Sequence, residues 1–161
     1  MAAREFAGII KEANLFVGGM GFLGKVESVK LPDVKTKKEY ANGQHVDYGL
    51  LEPMEFEADV NSVSELLYKE LAKLQDAELK VKGAITENGV KKSATATLKG
   101  PVDVEHDAWK SGESVKKKVK MYVNVFHLEI DGKEEIFVDL PNYIARIGGT
   151  DIYEEIRNAV M

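Results

Sequence analysis

The sharpest alternation of apolar and polar positions runs from Met54 to Val60. Met54, Phe56, Ala58 and Val60 point one way, and Glu55, Glu57 and Asp59 the other. Period two of this kind predicts a strand with one buried face and one face carrying three carboxylates. Directly behind it, Ser62-Val63-Ser64-Glu65 has the spacing of a capping box. Val63, Leu66, Leu67, Leu71 and Leu74 then recur on one helical face, leaving Lys69, Glu70 and Lys73 outside. This spacing predicts the one substantial helix.

Most of the remaining chain reads as β. Asn14 to Val17 and Phe22 to Leu31 are strand candidates, separated by a glycine turn and ended by Pro32. Ala77 to Glu87 and Val90 to Leu98 flank Asn88-Gly89, a strong hairpin signal. Val102 to Asp107 alternates again. Gly112 precedes a long strand, Ser114 to Ile130, whose apolar phase changes from odd positions to even ones near Val125-Phe126. A β-bulge or burial on both faces is expected there. Asp131-Gly132 turns the chain into Glu135 to Leu140, and Asp151 is placed to cap a short C-terminal helix. Two stretches stand apart. Residues 1–12 read as an N-terminal arm, and Pro32 to Gly49 is long, polar and almost without apolar period. A connection of that length is functional or disordered, although Asn42-Gly43 at its centre also fits a projecting hairpin.

Composition narrows the picture. The 161 residues fit a single domain with a core large enough to need no staple. Cysteine is absent, which removes disulfides, thiolate metal sites and thiol nucleophiles and suits a reducing cytoplasm. No apolar run approaches the ~18 residues of a membrane span. The opening segment, with Arg4, Glu5, Lys11 and Glu12, lacks the apolar core of a signal peptide. The chain reads as a soluble protein. Its net charge is −5, and only Arg4, Arg146 and Arg157 are arginines. That balance argues against sequence-specific nucleic-acid binding, which depends on arginine and a positive face.

Candidate chemistry fails on context. Gly19-Met20-Gly21-Phe22-Leu23-Gly24 fits the dinucleotide fingerprint, but KVESVKLP follows where a helix must begin. A hairpin turn is the better reading. His45, His106 and His127 lack metal-ligand spacing, and His106-Asp107 finds no nucleophile to serve. Glu55 and Glu57 suit a hydrolase only in principle; alternating acids on a strand are ordinarily a solvated face. No set of nucleophile, base and orienter assembles, so no catalytic, cofactor or metal residue is assigned. Lys116, Lys117, Lys118 and Lys120 form the densest basic cluster. They are expected to protect a strand from edge pairing rather than to bind phosphate.

The C-terminal third, KKKVKMYVNVFHLEIDGKEEIFVDLPNYIARIGGTDIYEEIRNAV, resembles the closing segment of major tail tube proteins from contractile-tailed bacteriophages and phage-derived particles. The resemblance lies in Phe126, Leu128, Asp131, Gly132, Lys133 and Glu134, followed by Gly149, Thr150, Asp151 and a terminal helix. Earlier elements keep the same order. They are the opening NLFVGG, the Val29 to Pro32 segment, the long polar loop, Asp47 to Leu50, an alternating strand, and a helix beginning Ser-x-x-Glu-Leu. Together they cover roughly residues 13–160.

This resemblance implies a mainly β fold of two packed antiparallel sheets, a sandwich or partial barrel, with one flanking helix and a protruding loop. It implies hexameric rings stacked into the hollow tail tube of a virion, through which DNA passes non-specifically. Assembly would occur in the host bacterial cytoplasm. The implied partners are the chain itself, a tail sheath protein, and tape-measure, baseplate and tail terminator proteins, with no membrane and no cofactor. The loop Asp33–Asp47 would reach the next ring through Lys35, Lys37, Lys38, Tyr40, Asn42 and Gln44. Glu55, Glu57 and Asp59 would form an acidic lumen face. Rival readings are a bacteriocin-like or type VI secretion tube, a monomeric β-sandwich binding module using the same loop, and a small hydrolase with paired acids.

Overall fold

A computed structural model describes residues 9–17, 26–61 and 66–161. In chain order the elements are β1 (Ile9–Val17), β2 (Val26–Lys30), β3 (Thr36–Ala41), β4 (Gln44–Leu51) and β5 (Met54–Val60). Helix α1 (Leu66–Leu71), β6 (Glu78–Glu87), β7 (Val90–Lys99), β8 (Val102–His106) and β9 (Lys117–Val123) follow. The chain closes with β10 (Val125–Ile130), β11 (Lys133–Asp139), β12 (Ile144–Ile147), β13 (Thr150–Asp151) and α2 (Glu154–Val160). The glycine turn at Gly19–Gly24, the capping box at Ser62–Glu65 and residues 1–8 of the expected arm lie outside the described residues.

Two antiparallel sheets enclose the core. The larger runs β1-β6-β7-β10-β11-β12-β13 and the smaller β2-β5-β9-β8. From the smaller sheet, Met54, Phe56, Ala58, Val60, Val119, Met121 and Val123 turn inward and are buried. They meet Leu15, Leu79, Leu98, Phe126 and Val138 of the larger one. The strand predicted over Met54–Val60 is β5 with those same bounds, and its carboxylates face away from the core. Asn88-Gly89 turns β6 into β7 as expected, with both residues at positive φ.

The phase change near Val125, for which a bulge or burial on both faces is expected, comes from a change of sheet. The single strand foreseen over Ser114–Ile130 is two. β9 lies in the small sheet, β10 in the large one, and exposed Asn124 separates them. Beside them β7 passes into β8 through Gly100-Pro101, likewise changing sheet. Because β7 pairs with β10 and β8 with β9, one two-stranded ribbon turns a corner between the layers. Each half must turn its apolar side to the same core. Across the single residue Asn124 the inward parity flips from odd in β9 to even in β10, whereas the two-residue step Gly100-Pro101 keeps even positions inward in both β7 and β8. Three backbone bonds fix it: Tyr122 N to Pro101 O at 2.9 Å, Asn124 N to Lys99 O at 2.8 Å, and Leu140 N to Asn124 O at 3.0 Å.

The helix is shorter than its apolar period. Leu67 is buried as predicted, but Leu74 lies beyond the helix at φ 57° and is 71% exposed. Glu70, expected outside, is buried. Its carboxylate accepts the Glu78 amide at 2.9 Å and the Lys73 ammonium, so it carries the entry into β6. Hydrophobic period has no means of showing such a backbone partner.

The short C-terminal helix expected to about Ala159 is α2, and a small hairpin precedes it, β12 and β13 joined at Gly148-Gly149. Asp151 does not sit at the N-cap. Its carboxylate gathers the Tyr153 amide at 3.0 Å, the Ala145 amide at 3.4 Å and Arg157 at 2.7 Å. Burial pushes this carboxyl upward, but those bonds and the Arg157 charge outweigh it and hold Asp151 below the usual carboxylate range. A depressed folded value stabilises above the unfolded value, and that stability disappears as pH falls through the folded one. Asp151→Asn should therefore cost about 1–2 kcal/mol at neutral pH and progressively less in acid. Urea titrations at several pH values check it; a cost independent of pH would contradict the assignment.

Candidate assembly surfaces

The stretch expected as a loop over Asp33–Asp47 is a β-hairpin that belongs to neither sheet. β3 and β4 pair only with each other. Asn42 and Gly43 both take positive φ, 52° and 78°, which the tight hairpin turn requires. Pairing steps from Thr36↔Leu51 to Lys38↔Asp47, so Tyr48, Gly49 and Leu50 bulge out of β4. Asp47 clasps the bulge. It accepts the Thr36 hydroxyl at 2.6 Å and the Gly49 amide at 2.9 Å, with Lys38 at 3.7 Å. The Thr36 bond, first among these contacts, holds Asp47 below the usual carboxylate range. At the root, the Glu52 amide bonds Lys35 O and the Leu51 amide bonds the Tyr153 hydroxyl, both at 2.8 Å.

All six predicted contact residues lie on or beside this hairpin. Tyr40 is 68% exposed and meets His45 edge-on. Lys37 and Gln44 are exposed, Asn42 makes the turn, and Lys38 bonds Thr36 as well as Asp47. Lys35 stands at the root, 3.9 Å from Asp33.

Glu55, Glu57 and Asp59 form a separate surface, the outward face of the small sheet. The lysine cluster meets them there. β9 is an interior strand flanked by β5 and β8, so its lysines guard no edge, contrary to the expectation. Lys120 stands opposite Glu57 and bridges Glu55 at 3.4 Å, and Lys118 stands opposite Asp59. On the other side these lysines face Asp103 and Glu105 of β8. The neighbouring Glu55 charge raises Lys120 above its ordinary value, while a hydrogen bond to Asp103 raises Tyr122. Lys117 turns the opposite way, buried with its ammonium 4.6 Å from the Tyr68 ring centre. The Tyr68 hydroxyl also hydrogen-bonds His106 Nε2 at 2.7 Å. Among the described residues no cluster of histidine and carboxylates is arranged to hold a metal ion.

Sequence reasoning missed Asp47 as clasp and Tyr153 as anchor. Asp47 carried a local signal, an aspartate two residues before a glycine. Tyr153 carried none, since its partner lies 102 positions away.

These surfaces accompany a clear kinship. The tail tube protein of Escherichia phage P2 is 24% identical over 164 residues, spanning 94% of this chain and 95% of that protein. Among solved structures, a cryo-EM structure of the extended sheath-tube complex of an extracellular contractile injection system, PVC, shares the fold. The TM-score is 0.51 at 8% identity, over 73% of this chain and 88% of that one. A crystal structure of Hcp protein aligns at a TM-score of 0.47 and 16% identity, over 74% and 93% of the two chains. The family model described as Phage tail tube protein FII matches residues 7–160. Nearly the whole chain, hairpin and both sheets included, is thus accounted for by one family, and the protein belongs to the phage tail tube proteins.

Proposed function

We propose that this tail tube subunit forms hexameric rings that stack into the hollow inner tube of a contractile tail, through which DNA passes. The β3–β4 hairpin carries the reading. An isolated two-stranded hairpin is marginal in water, yet this one is held clear of the sandwich by bonds at its root. It displays Tyr40, Tyr48 and Leu50 to solvent, residue types that gain most when an interface covers them. Seated on the adjacent ring, Lys35, Lys37, Lys38, Tyr40, Asn42 and Gln44 supply the stacking contacts.

The outward face of the small sheet lines the channel in this reading. Glu27, Glu55, Glu57, Asp59, Asp103 and Glu105 outnumber Lys30, Lys118 and Lys120 there. The surplus repels phosphate, and the flanking carboxylates compete for the lysines, so DNA slides without being held. A sheath surrounds the tube, as in the injection-system complex. Tape-measure protein occupies it during assembly, and baseplate and terminator proteins meet its ends.

Negative-stain electron microscopy with sedimentation of the purified protein tests this. Rings or tubes are expected; a monomer at every concentration and salt would overturn it. Deleting Lys35 to Gln44 should leave a folded protein that forms rings and no long tubes. Long tubes from the deleted protein would remove the hairpin from the stacking contact.

A further inference from the structure

The register of the small sheet gives its strands two distinct ends. At one end lie Lys30 and Met54, which flank the β3–β4 hairpin and its root. At the other, Val26, Val60, Lys117 and His106 pair in a row across the four strands. The connection from β8 to β9 leaves from this second end. Hairpin and connection therefore project from opposite ends of one sheet.

The β8–β9 connection is itself ordered. The Asp107 amide bonds Lys116 O at 3.2 Å and closes its base, and the Glu113 amide bonds Lys110 O at 3.1 Å. Gly112, at the third position of that turn, takes φ 82°. Just before the turn stands Trp109, the chain's one tryptophan, 78% exposed. Beside the base, half-exposed Tyr68 stacks on His106 with ring centres 5.9 Å apart. Single apolar side chains on a surface are ordinary, but here the opposite end carries matching chemistry. The hairpin shows Tyr40 with His45, Tyr48 and Leu50 to solvent. Tryptophan and tyrosine are the types that carry most interface energy once buried. Charge agrees with the match. Over Glu105–Glu113 three carboxylates stand against the single cation of Lys110, while Lys35 and Lys37 are exposed on and beside β3.

Stacking copies along the strand direction sets one copy's hairpin against the next copy's β8–β9 connection. The six residues of β3, at about 3.3 Å each, carry the hairpin tip about 20 Å beyond its root. Because the two features lie at opposite ends, their contact is heterologous and repeats from copy to copy without closing, as a tube requires. Resting on the stacked-ring reading above, we infer that Trp109 and the β8–β9 connection are the receiving surface for the hairpin of the adjacent ring. Trp109 packs against the exposed aromatic side chains of that hairpin, and Asp107 and Glu113 meet its lysines.

A single tryptophan reports on its own burial. Its fluorescence should move to shorter wavelength when rings stack, and stay unshifted in rings of the protein lacking Lys35 to Gln44. Trp109→Ala should still form rings in sedimentation velocity, but tube growth should need about tenfold or more protein. Trp109→Phe should recover most of that loss. Cross-linking tests the geometry, since the chain has no cysteine of its own. Gln44→Cys and Ser111→Cys proteins are mixed before assembly and treated with a bismaleimide spanning about 10 Å, three residues of strand. Covalent dimers are expected from the mixture and not from either protein alone. Tubes with unshifted fluorescence, tubes without mixed dimers, or a shift already present in the hairpin-deleted rings would overturn the receiving surface and leave the stacked-ring reading standing. A wild-type protein that never assembles would end both.

Discussion

Replacing Gly100 with alanine should cost about 3 kcal/mol or more, lowering the urea midpoint by about 1–2 M. A Cβ on this residue would stand 2.0 Å from the carbonyl oxygen of Tyr122, 3.0 Å from its carbon and 3.3 Å from the Asn124 amide nitrogen. The obstacle is backbone, which no rotamer change relieves. That backbone is also pinned, because Tyr122 and Asn124 donate their amides to Pro101 and Lys99 across the same corner. The φ of +154° adds strain for any side chain. Gly43, on the hairpin turn, meets nothing within 4 Å, although its φ is also positive. Gly43→Ala should therefore cost only the strain of its turn, roughly 1 kcal/mol. Equal midpoints for the two variants would mean that the corner yields.

Phe56→Ala should remove about 3–5 kcal/mol and lower Tm by roughly 10 °C. The ring is 0% exposed at the centre of β5, opposite Met121 of β9 and facing the large sheet. Its loss leaves a void in close-packed surroundings that covalent geometry prevents from collapsing. Glu55→Ala, one position earlier and turned to solvent, should shift stability by about 0.5 kcal/mol or less. Calorimetry of the pair checks the parity of β5, since similar losses would place both side chains in the core.

That parity was legible in the sequence because it is a local property. Met54–Val60 alternates without interruption, and Asn42-Gly43, Asn88-Gly89 and Asp131-Gly132 each turn a hairpin by short-range rules. Strand order is not local. Lys116 to Lys120 look the same on an edge as on an interior strand, and only pairing with β5 and β8 separates the cases. Glu70 and Tyr153 escaped for a related reason, since each serves a backbone amide that hydropathy does not register. The phase change at Val125 was visible, but a bulge and a change of sheet leave the same trace in one strand. β12 and β13, four and two residues long, are too short for any periodic signal. On the assembly surfaces, the acids of β5 were evident, whereas the lysines that interleave them became neighbours only through the fold.

The ribbon that turns the corner at Gly100 and Asn124 has a consequence for cooperativity. β7 with β8 and β9 with β10 are continuous chain, so neither layer can open without pulling strands from the other. Unfolding should be all-or-none, with the slowest-exchanging amides found in both layers. A subunit waiting to polymerise thus has no half-open intermediate in which a bare layer is offered to the wrong neighbour.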